Sequence, residues 1–90
     1  MAHYVGVFVP LEQGGWRALF PDVPYCEVEE ESLDLAIFRA AHALAEVKQS
    51  SDRPLPLPRD LSVIRADVDW ASSRKVDWSC SVVTMIPLRA

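Results

Sequence analysis

The spacing of apolar positions changes along the chain, and each change marks an element. From His3 to Pro10, Val5, Val7 and Val9 alternate with Tyr4, Gly6 and Phe8, so a strand here is apolar on both faces. Such a strand is covered on both sides, which places it centrally, with a helix on one face and something else on the other. In a chain of 90 residues the second cover is expected to be another copy of the chain or a partner, which predicts a homodimer or a higher oligomer. Gly14 and Gly15 then supply a tight turn, and Trp16, Ala18 and Phe20 alternate with Arg17 and Leu19, predicting a second strand over 15–20. Pro21 and Pro24 stop it, because proline has no N–H for a ladder bond. A third extended run covers 26–30. Ser32 precedes Leu33, Ala36, Ile37, Ala40, Leu44 and Val47, a helical spacing, so a helix is predicted over 33–49 with the Ser32 hydroxyl as its cap.

The pattern weakens after this helix. Residues 50–58, SSDRPLPLP, read as an extended connector that ends it. Over 59–67, Leu61, Ile64 and Val68 have helical spacing while Val63, Arg65, Asp67 and Asp69 alternate; a short helix is preferred to a strand. Residues 78–87 are rich in β-formers and should return to the sheet as its last strand, closed by Pro87. The prediction is one α+β domain over 1–90. An antiparallel-rich sheet of three N-terminal strands and one C-terminal strand packs on one main helix, in the order β-β-β-α-β.

Composition narrows the function classes. Half the residues are apolar, a globular composition, and no apolar run approaches the roughly 20 residues of a membrane helix. The start MAHYVGVFVP lacks the basic region and cleavage site of a secretion signal, so the cytoplasm is the expected compartment. Cys26 and Cys80 lie far apart without metal-type spacing and are expected to be buried, reduced thiols. Net charge is −4, but residues 1–46 hold eight acids against two bases, a net −6, and the remainder is net +2. An acidic half repels nucleic acid and favours a basic partner.

The stretch Phe20-Pro21-Asp22-Val23-Pro24-Tyr25-Cys26 is followed at fixed spacing by Ser32-Leu33-Asp34-Leu35-Ala36-Ile37-Phe38-Arg39-Ala40-Ala41-His42-Ala43-Leu44. With the doubled glycine before it, this run resembles the HicB family of antitoxins, closely over the first half of the chain and in outline beyond. Tyr25 stands where that family prefers glycine, and Glu30-Glu31 replace its usual Gly-Asp. The resemblance implies a partial ribonuclease H-like scaffold. It also implies an antitoxin that neutralises a small basic toxin of the HicA type, an mRNA-cleaving protein, by direct contact. Charge and exposure nominate Trp16, Asp22, Tyr25, Glu27, Glu29, Glu30 and Glu31 as contact residues. Many family members add a C-terminal DNA-binding element; only Arg89 and Ala90 follow the last predicted strand, so autonomous DNA binding is not expected.

Two other classes compete. One is an orphan oligomeric structural domain with no toxin partner. The other is a metal-dependent nuclease, which needs several carboxylates on its central strands to hold two metal ions. The first strand and residues 79–88 contain no Asp or Glu, although Asp22 with Glu27 or Glu29 could form a carboxylate cluster. His42 falls outside the apolar stripe of the helix and is expected to be solvated. No catalytic residue, cofactor or metal ligand is expected, since no phosphate loop, nucleophile elbow or Cys/His ligand set is present.

Overall fold

The computed structural model describes residues 2–88. Arg89 and Ala90, on which the expectation about DNA binding turned, lie outside the described residues. Strands β1 (His3–Pro10), β2 (Trp16–Leu19), β3 (Glu27–Glu30) and β4 (Val82–Pro87) form one antiparallel sheet in the order β3-β2-β1-β4. Helix α1 (Leu33–Ser50) lies between β3 and β4 in sequence, followed by α2 (Leu61–Ala66) and α3 (Val68–Ser73). The fold is α+β.

β1 is central, as its two apolar faces required. Tyr4 and Phe8 point to the α1 side and share a core with Ala18, Phe20, Ala36, Ala40, Leu44 and Ile86. Val5, Val7 and Val9 point to the second side and pack with Leu19 and Ile64, flanked by Leu61, Trp70, Val76 and Trp78. The second cover is therefore α2, α3 and the turn after them, from the same chain. This corrects the expectation that a second copy or partner must hide that face. The expectation of a single short helix over 59–67 left too little chain to cover this face, whereas two short helices and the turn after them place apolar side chains over the sheet.

The turns follow from local chemistry. Gly14 and Gly15 adopt φ 94° and 92°, the left-handed region where a side chain is strained. A Cβ on Gly15 would also lie 2.9 Å from the Glu30 carbonyl oxygen, so this turn brings β2 close beside β3. Gly15 thus belongs to the turn, and Phe20 opens the next one, its carbonyl accepting from Val23 N at 3.0 Å; β2 is correspondingly shorter than 15–20. Ser32 caps α1, its hydroxyl accepting from Leu35 N at 3.2 Å.

Beyond α1 the connector crosses the end of the sheet where β1 begins and β2 finishes. The Tyr4 hydroxyl donates to the Pro56 carbonyl at 2.6 Å, and Asp22 accepts from Arg59 N at 2.8 Å. Asp67 separates the two short helices: its amide donates to Ile64 O, and its carboxylate accepts from Trp70 N at 3.0 Å. α3 ends with Lys75 at φ 56°, where Lys75 N donates to Ser72 O and Val76 N to Ala71 O, the paired bonds of a left-handed helix stop. β4 starts at Val82 and not at 78, because Asp77 gathers Ser79 N, the Ser79 hydroxyl and the Ser81 hydroxyl into a turn.

Candidate functional site

Each nominated contact residue has a definite place. Strand pairing sets β3 opposite β2, with Glu27 across from Leu19, Glu29 from Arg17 and Glu30 from Trp16. Since side chains alternate, Glu27 and Glu29 project on the α2–α3 side and Glu30 on the α1 side. On the first side Arg17 Nε lies 3.4 Å from Glu29 and 4.0 Å from Glu27, and Arg74 Nη1 donates to Glu27 at 2.8 Å. On the other, Arg39 lies 3.3 Å from Glu30. Glu31 is exposed, with no ion pair among the described residues.

These pairs offset part of the charge that makes the first half of the chain acidic. Arg17, Arg39 and Arg74 already answer three of the four glutamates. Pairs this exposed contribute about 0–1 kcal/mol each and exchange readily with solvent or another cation, so the strand still presents carboxylates outward. What the sequence could not show is that Arg74, 47 positions away, returns to β3.

Trp16 is half-buried and packs against the α1-side core, which leaves only part of its ring on the surface. Asp22 is buried, at 8% exposure, with its carboxylate on the Arg59 amide and guanidinium. It is an internal tie and not a contact residue. Tyr25 is the reverse: at 66% exposure it stands at the tip of the proline turn. Arg74 fastens that turn by donating to Pro24 O at 3.2 Å while holding Glu27, so Tyr25 and the start of the acidic strand share one surface. Leu11, Gln13, Gly15 and Glu29 to Glu31 line a shallow recess at the other end of β3.

The carboxylate cluster of Asp22 with Glu27 or Glu29 is not assembled, because Asp22 is turned inward to Arg59 while the glutamates face Arg17 and Arg74. Among the described residues no group of three His, Cys, Asp or Glu side chains is placed to hold a metal ion. Burial, then the nearby Asp22 and Tyr25, push the Tyr4 phenol above its ordinary 10.0, so it acts as a neutral donor to Pro56. Burial likewise pushes the Cys26 thiol up to about 11. Cys80, expected to be buried, is exposed in the turn that precedes β4.

A second surface had no nominated residue. Phe38, Ala41, His42 and Ala45 of α1 face Thr84 and Ile86 of β4 across an apolar groove, with Met85 at its rim. Phe38 is 59% exposed and Met85 50%, and the Phe38 and His42 rings are 4.6 Å apart. The signal was present: Phe38 lies off the buried stripe Ala36, Ala40, Leu44, and no charge occurs from Trp78 to Leu88.

No helix among the described residues is long and apolar enough to cross a membrane. A scan against protein-family models finds no match to the chain, and a search of curated proteins finds none of significant similarity.

Proposed function

We propose that the chain is an antitoxin-like binding module that neutralises a small basic toxin of the HicA type by direct contact. The observation that carries this reading is the acidic sheet edge. β3 is an outer strand with glutamate at three of its four positions, continued by Glu31 and adjoining the exposed Tyr25. A toxin that cleaves mRNA must carry cationic groups to hold phosphates, and a row of carboxylates on a rigid strand competes for those groups. Tyr25 would supply the aromatic anchor that a charged rim lacks. Glu31 meets the partner at once, while Glu27, Glu29 and Glu30 exchange Arg17, Arg39 and Arg74 for cations of the toxin.

The fold has a supporting part. Arg74, the Asp22–Arg59 tie and the Gly15 turn hold β3 and the proline turn in place, so the surface is ordered before a partner arrives. The cytoplasm is the proposed compartment, consistent with two unpaired cysteines.

The test is an RNA-cleavage assay with the small basic protein encoded by the adjacent reading frame. Addition of this chain at an equal molar amount should abolish cleavage, and Tyr25→Ala should weaken inhibition at least tenfold. Undiminished cleavage at saturating amounts would remove the antitoxin reading. It would favour the alternative, an orphan oligomeric domain, for which the groove between α1 and β4 is the supporting observation.

A further inference from the structure

The two outer strands of the sheet are built in opposite ways. β3 exposes Glu27 and Glu29 and keeps Glu30 half-buried, the kind of charged edge that discourages strand addition by another copy of the same chain. β4, Val-Val-Thr-Met-Ile-Pro, has no charge. Leu88 N donates to Ala2 O at 2.8 Å, and antiparallel ladders alternate, so Ile86, Thr84 and Val82 are the β4 residues bonded to β1. Val83, Met85 and Pro87 therefore turn their backbone groups outward, to the side of β4 that faces no neighbour among the described residues.

We infer that this edge is where two copies of the chain join, β4 pairing antiparallel with β4 of the second copy about a two-fold axis at Thr84. The register follows from the bonding pattern. Placing Thr84 opposite itself sets Val83 against Met85 of the other copy and Met85 against Val83, so each outward N–H and C=O of both residues gains a partner. Centring on Met85 instead would set Pro87 against Val83 and lose donors, because Pro87 has no N–H. In the Thr84 register the facing side chains are Val83 with Met85, Val82 with Ile86 and Thr84 with Thr84, apolar or mutually hydrogen-bonding pairs of the kind that stabilise a ladder.

Charge selects a second copy as the occupant. A chain of net −4 repels itself over most of its surface, and most strongly at β3; β4 and the groove residues Phe38, Ala41, His42 and Ala45 carry no acid. The exposed Phe38, on the α1 side, and Met85, on the opposite face with its partner Val5, both border this edge, where a second copy would cover them. The inference does not depend on the toxin reading, since β3 lies at the far side of the sheet.

Sedimentation equilibrium of the full chain at high micromolar concentration should give twice the chain mass. Met85→Pro removes one outward N–H and leaves every bond to β1, so it should yield a monomer with an unchanged circular dichroism spectrum. Thr84→Cys in a Cys80→Ser background tests the register without weakening the edge. Directly opposed residues of a non-bonded pair have Cα atoms about 4.5 Å apart, within disulfide reach, so mild oxidation should link two chains. Val63→Cys in the same background, on α2 and more exposed than Thr84, should link far more slowly. A monomeric wild type, a dimer that survives folded Met85→Pro, or equal rates for the two cysteine variants would each overturn the inference. So would a monomer whose β4 amides become protected from hydrogen exchange only when a foreign protein is added, which would give the edge to a different strand.

Discussion

The Asp22 carboxylate holds Arg59 twice, accepting from its backbone amide at 2.8 Å and from its guanidinium Nε. One residue stands in the turn after β2 and the other at the entry to α2, so this contact fixes where the chain passes from one face of the sheet to the other. The guanidinium is 38% exposed and can return to water, while the amide bond is partly buried and has no substitute. Asp22→Ala should therefore destabilise by about 1–3 kcal/mol, and Asp22→Asn, which keeps an acceptor, by less. Urea unfolding followed by tryptophan fluorescence measures both; a loss under about 0.5 kcal/mol for the alanine variant would show the tie to be dispensable.

Lys75 sits in the left-handed region at φ 56°, and Arg74 immediately before it engages Glu27. A side chain in that conformation costs about 1 kcal/mol relative to glycine. Lys75→Gly should accordingly raise the melting temperature by several degrees, and a fall would mean that the lysine makes a compensating contact.

The two thiols should differ sharply in reactivity. At neutral pH an alkylating reagent should modify Cys80 in the folded protein and reach Cys26 only on unfolding, because Cys26 is buried and its thiol is pushed up to about 11. The sign for stability follows. An unfolded chain ionises this thiol near its ordinary 9.0, whereas the folded chain resists until about 11. The contribution is thus complete below pH 9 and lost as pH rises through about 11. Cys26→Ala should flatten stability against pH in that window, and an unaltered slope would assign the loss to another group.

With a basic toxin partner, Glu30→Gln combined with Glu31→Gln should slow association and reduce its dependence on salt while moving stability by less than about 1 kcal/mol. Stopped-flow rates at two ionic strengths decide this. An on-rate and salt slope equal to wild type would make the glutamates a device for solubility and edge protection alone.

Much of the architecture was legible because period and punctuation agreed. The alternation in β1, the glycines at the first turn, the prolines after Phe20 and the Ser32 cap all resolve within a few residues of chain. Helix α3 was not legible: its cue is Asp67 capping Trp70, six residues long, competing with an alternation of Asp67 and Asp69 that mimics a strand. Of the nominated surface, Glu27, Glu29, Glu31 and Tyr25 do face outward, since strand parity and a turn tip are local properties. Asp22 is the instructive failure. A carboxylate between prolines looks exposed in sequence, and only the return of Arg59 from 37 positions away buries it. The groove by β4 escaped for the same reason, as it lies between elements about 40 residues apart.

The pairing of His3 with Pro87 means that β1 waits for β4, with every other described element made between them. During synthesis β1 leaves the ribosome ahead of α1, so the helices over its second face, and then its β4 neighbour, follow only after that helix is made. A nascent chain cut before Val82 should hold an apolar strand open along one whole edge, and closing so long a loop makes this late step a slow one. Pulse proteolysis of ribosome-bound chains ending before and after β4 should then show protection of β1 arriving abruptly once β4 is made, so that a message interrupted before Val82 yields a fragment ready for degradation and not a half-active protein.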